Sequence, residues 1–168
     1  LFISLENEAS DNLMSMYRSV YESLTQSSGL DRPDEEVIEF IYEYFNRRGW
    51  VLLMERRVGS EFGYEELRAL YEDYTKQGYR ILTTIIDYMN KMKKNDNNRD
   101  GNYLALESLY ENVVNYITSK GCTFITAHQL TTDASKLASS GVNNVVRKFN
   151  FEHLEHGKAP FKVCDVII

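Results

Sequence analysis

Residues 79–92 read YRILTTIIDYMNKM, an apolar run that stops on Asp87 and gives way to a short polar segment. The run is apolar on both faces, which predicts a strand buried in a parallel sheet rather than one half-exposed at a surface. Asp87 then has two readings. It is either a turn residue, or a carboxylate set at the strand's end because a metal or a phosphate binds there.

Working outward, the same alternation recurs. LFISL at 1–5 is a short apolar strand followed directly by Glu6. A helix fits about 9–26, where Leu13, Met16, Tyr17, Val20, Tyr21 and Leu24 share one face at 3.6 periodicity. SSGLDRP breaks it, and Pro33 suits the first turn of a second helix striped by Val37, Ile38, Ile41 and Phe45. WVLLMER at 50–56 predicts the next strand. A helix over about 62–77 follows, with Leu67, Leu70, Tyr71 and Tyr74 on its apolar face and Gly78 just past its end. KKNDNNRDGN at 93–102 has no apolar anchor and reads as an exposed loop. Beyond it, a long helix at 103–119 and a strand in CTFITA at 122–127 are expected. TTDASKLASSGVNN at 131–144 predicts a loop with at most one short helix. VVRKFNFEHLEHG reads as a strand and turn, and FKVCDVII as the last strand. Strands alternating with helices of this length predict an α/β fold: a mostly parallel sheet in three layers, covered by helices.

The totals agree with one compact domain over residues 1–168. A formal charge of −6 argues against a wholly basic nucleic-acid-binding surface, while leaving room for local phosphate-binding loops. Cys122 and Cys164 lie in apolar surroundings without a CxxC pattern and read as buried thiols of an intracellular protein. No apolar run is long enough to cross a membrane. The chain opens and closes within strand-like segments, which predicts an excerpt of something longer.

In an open parallel sheet, ligands bind beyond the carboxyl ends of the strands. Three apolar strands deliver polar residues to that edge: Glu6 after LFISL, Asp87 after TTII, and His128-Gln129 after TFITA. Taken singly, each has an ordinary role. Asp87 fits a turn or cap, Glu6 favours the positive end of the next helix, and His128 fits a hydrogen-bonded histidine at the sheet edge. Taken together they match nucleotide hydrolysis. One carboxylate can hold Mg²⁺, a second can deprotonate the attacking water, and an amide can bond a terminal phosphate.

The order SLE, then an apolar run with Asp-Tyr, then AHQL resembles the RecA-like P-loop NTPase core of the replicative hexameric DNA helicases. This is the DnaB-type family, which includes phage primase-helicases. ISLEN, with Ser4, Leu5 and Glu6, is similar to the family's Ser-Leu-Glu-Met signature, and Arg18 in LMSMYR fits the arginine that follows it. TTIIDYMNKM carries the Asp-Tyr motif in Asp87 and Tyr88. AHQL approximates a Ser-Gln-Leu signature, with Gln129 at the glutamine, and TTDASKLASSG and CDVII fit later segments loosely. The likeness spans nearly the whole chain in order, and three short motifs are distinctive.

The resemblance implies ATP hydrolysis coupled to movement on single-stranded DNA in a homo-oligomeric, hexameric ring, with a primase or loader as a further partner. Its place would be the cytoplasm of a bacterium or a phage-infected host. Glu6 would be the base, Asp87 the Mg²⁺ carboxylate and Gln129 the γ-phosphate sensor, with Arg18 a further nucleotide contact. The loops after Tyr88 and Gln129 would face a central channel, offering Lys91, Lys93, Lys94 and Arg99 from the first and Lys136 from the second to DNA. The sequence departs from the family in having no G-x-x-x-x-G-K-[ST] loop. The excerpt alone is therefore expected to be inactive. Two rival readings stay open: a RecA-like ATPase of recombination or signalling type, and a catalytically silent α/β interaction module.

Overall fold

The computed structural model describes residues 1–5, 9–94, 102–128, 131–139 and 141. Its elements run β1 (Phe2–Ser4), α1 (Ala9–Thr25), α2 (Asp34–Asn46), β2 (Met54–Arg56), α3 (Tyr64–Lys76), β3 (Thr83–Asp87), α4 (Asn102–Ser119), β4 (Thr123–Thr126) and α5 (Thr132–Ser139). A single 3₁₀ turn, Met89–Lys91, follows β3. The expected strands at VVRKFNFEHLEHG and FKVCDVII, with Cys164, lie outside the described residues.

The four strands form one sheet in the order β2-β1-β3-β4, and every pairing is parallel. Parallel neighbours need crossovers, and crossovers are right-handed. The β1-to-β2 connection steps one way along the sheet, whereas β2-to-β3 and β3-to-β4 step the other way. The handedness rule therefore places α1 and α2 on one face and α3 and α4 on the opposite face. Packing agrees with this. Ile3, Ile86, Leu67, Leu106, Tyr110, Val113 and Ile117 join one buried cluster, and Tyr21, Val37 and Ile41 form another between α1 and α2. In α4 the buried positions 106, 110, 113 and 117 follow helical spacing, so one stripe of this helix closes the sheet.

Local signals explain the boundaries. Pro33 occupies the cap position before α2, one residue ahead of the expected first turn, and Asp34, Glu35 and Glu36 fill that turn, where the helix dipole favours negative charge. At α3 the Glu66 carboxylate accepts the Gly63 N–H at 2.9 Å, which holds its pKa below the usual carboxylate range. Gly78, at φ +91°, turns the chain out of α3.

WVLLMER departs from expectation: only Met54–Arg56 is strand. This strand, at the edge of the sheet formed by the described residues, pairs with β1 over three residues, leaving Trp50 and Val51 exposed. At the other end of the described sheet, β4 alternates exposed and half-buried residues, with Ile125 half exposed, so it is not buried on both faces in the way that β1 is.

Candidate site at the carboxyl edge of the sheet

In a sheet of order 2-1-3-4 the connections leaving β1 and β3 diverge to opposite faces, which opens a crevice between those two strand ends. Asp87 ends β3 on one side of that crevice. Opposite it, Ser4 is its register partner, and the Leu5 amide donates to the Asp87 carbonyl at 2.9 Å. Glu6 follows Leu5 in sequence and lies outside the described residues, as do Gln129 and Arg99. On the far side of β3, Ile86 pairs with Thr126, two residues before His128. The ends of β1, β3 and β4 are thus level along one edge.

Asp87 is partly buried, and its carboxylate has no hydrogen-bond or ion-pair partner among the described residues. A carboxylate at the end of a switch-point strand is the kind of group that could serve a magnesium ion that keeps most of its waters and needs only one or two protein ligands. No group of three or more His, Cys, Asp or Glu that could hold a metal ion gathers among the described residues.

The chain leaves β3 through Tyr88 and the 3₁₀ turn, which is pinned by two buried methionines. Met89 and Met92 sit in the core, holding Lys91 and Lys93 at the surface and Lys94 half-buried. The Lys91 ammonium lies 5.5 Å from the Tyr88 ring centroid. A second loop braces this one: the Lys93 amide donates to the Phe62 carbonyl at 3.0 Å, and a Cβ on Gly59 would collide with the Lys91 carbonyl oxygen. Gly59 is therefore required by close backbone approach, which VGSEFG in the sequence does not reveal.

The exit of β4 is tied to the exit of β3 by side chains. The Thr126 hydroxyl donates to the Ile86 carbonyl at 2.8 Å and accepts from the Met89 amide at 3.4 Å. His128 is hydrogen-bonded through Nδ1 to the buried Tyr110 hydroxyl at 2.7 Å, as expected for a sheet-edge histidine, and Tyr110 donates to Asn90 Oδ1 at 3.2 Å.

Two other candidates sit elsewhere. Arg18 is nine residues into α1, roughly 14 Å along the axis from Ala9 at 1.5 Å per residue. Its guanidinium bonds Asp34 and, at 3.2 Å, the Gly29 carbonyl, which links α1 to the turn and to α2. Lys136 is exposed on α5 and pairs with Asp133 at 3.2 Å. A cleft of about 540 Å³ at the end of β2 sets Arg56 and Arg57 against Glu61, Glu66 and Asp73, a mixed charge with no preference for phosphate.

No helix among the described residues is long and apolar enough to cross a membrane. In comparisons with known proteins, residues 1–157 match the family described as Divergent DnaB-like ATPase. No curated protein matches the chain.

Proposed function

Because the chain belongs to the divergent DnaB-like ATPase family, we propose that it is the ATP-hydrolysing motor domain of a DNA helicase that moves on single-stranded DNA. The observation that carries this reading is the register of Ser4 with Asp87 across the switch point, which sets the strand that leads to Glu6 beside the strand that ends in Asp87. Nucleotide hydrolysis needs a metal-side carboxylate and a base close together, and a switch point is where a parallel sheet can provide both.

In this reading Asp87 holds Mg²⁺, which neutralises charge on the phosphates of bound ATP. Glu6 takes the proton of the attacking water. Gln129 hydrogen-bonds the terminal phosphate, and the β4 exit responds to its loss. Lys91, Lys93, Lys94 and Arg99, with Lys136 from the following helix, contact the phosphates of the single strand. Arg18, which also ties α1 to α2, is a further nucleotide contact. The motor works as a homo-oligomeric, hexameric ring with a primase or loader as partner, in the cytoplasm.

The test is the ATP hydrolysis rate of the full-length protein with and without single-stranded DNA. Stimulation by the single strand supports the motor reading. Hydrolysis that ignores DNA points instead to another RecA-like ATPase, and no hydrolysis points to a silent module.

A further inference from the structure

We propose that Tyr110 is a positioning residue that couples the exit of β4 to the segment after Asp87, so that a displacement at His128 reaches the lysines at 91–94. The inference rests on the motor reading above and adds to it the route by which the two loops act together.

The geometry is specific. Tyr110 lies midway along α4 and is fully buried. Its hydroxyl bonds residues from both strand exits, Asn90 Oδ1 at 3.2 Å and His128 Nδ1 at 2.7 Å. A phenol has one proton. With that proton donated to Asn90, the oxygen accepts from His128, which puts the imidazole hydrogen on Nδ1 and leaves Nε2 as the other face of the ring. The Asn90 amide has no second anchor, because its Nδ2 is buried without a hydrogen-bond partner among the described residues. The side chain of Asn90 is therefore held by the Tyr110 hydroxyl.

The positions at either end give the link its use. His128 immediately precedes Gln129, and Asn90 immediately precedes Lys91. The Met89 amide on the Thr126 hydroxyl, at 3.4 Å, is a longer and weaker tie between the same exits. A movement of the β4 exit that shifts His128 must either drag the Tyr110–Asn90 pair or break a short hydrogen bond in a buried setting.

Tyr110→Phe preserves the ring and its packing and deletes the hydroxyl that bonds both Asn90 and His128. The experiment compares ATP hydrolysis by the full-length protein, with and without oligodeoxythymidylate, for wild type, Tyr110→Phe, Asn90→Ala and the double variant. The expected result is a basal rate close to wild type, with stimulation by the oligonucleotide reduced about fivefold or more in each variant, and no further in the double. Asn90 is only partly buried, so its variant stands in if Tyr110→Phe does not fold. Full stimulation in Tyr110→Phe or Asn90→Ala overturns the coupling while the motor reading stands. Equal loss of basal and stimulated rates also overturns it, because it marks Tyr110 as merely structural. A wild type that hydrolyses no ATP overturns the motor reading and this inference together.

Discussion

Ser4 and Asp87 face each other across the β1–β3 ladder, and the bond from the Leu5 amide to the Asp87 carbonyl locks that register at its last step. The register decides more than strand pairing. A slip by one residue would turn the side chain of Asp87 to the other face of the sheet. Sheet order, register and the candidate carboxylate are therefore one arrangement.

The lysine loop depends on the glycine beside it. Gly59→Ala places a methyl group against the Lys91 carbonyl, and backbone cannot swing aside as a flexible side chain can. We expect a loss of about 1–3 kcal/mol in urea unfolding, the usual cost of overpacking a close approach. A variant as stable as wild type would show that the two loops separate readily.

Alkaline pH should weaken the fold through its buried phenols. Burial, and then the hydrogen bond to the Glu55 carboxylate, push the Tyr74 phenol up to about 12 from its ordinary value near 10. Tyr71 and Tyr116 are raised as well, chiefly by burial. The unfolded chain then loses these protons at a lower pH than the folded one. Their stabilisation is complete below about pH 10 and is lost as pH climbs toward 12. Urea midpoints measured across that window should fall for wild type and fall less steeply for Tyr74→Phe. Equal slopes would contradict the assignment.

The loop lysines should register in salt dependence rather than in folding. Lys91 ends the turn and Lys93 and Lys94 follow it, while Met89 and Met92 do the pinning, so alanine at all three lysines leaves the pinning side chains untouched. For single-stranded DNA, the slope of log affinity against log salt should shrink by roughly 0.7 for each phosphate that the variant no longer neutralises, about 2 in total. An unchanged slope would mark these lysines as solvated surface.

Much of this arrangement was legible in the sequence, for local reasons. The helical stripes of α1, α3 and α4 and the apolar runs of β1 and β3 encode their own burial, and Asp87 advertises itself by ending such a run. WVLLMER misled because hydrophobicity alone does not say where pairing begins; at the edge of the described sheet, β2 is defined by its partner, and Trp50 and Val51 precede the ladder. The Tyr110 link was invisible for a different reason. Its partners are 20 and 18 residues away in the chain, and Tyr110 reads in sequence as one more residue of an apolar stripe. Gly59 was hidden in the same way, since the Lys91 carbonyl that demands it comes from another loop.

The central claim is that Asp87 and Glu6 form the hydrolytic pair at the β1–β3 crevice. The most direct test measures the single-stranded-DNA-stimulated ATP hydrolysis rate of the full-length protein for wild type, Asp87→Asn and Glu6→Gln, with unfolding midpoints as a control for stability. Loss of a proton-transfer group typically costs about 10²–10⁴ in rate, and the account predicts a fall within that range for Glu6→Gln. For Asp87→Asn it predicts a fall that higher Mg²⁺ partly restores. Rates within about tenfold of wild type in both variants, with folding intact, would contradict the account.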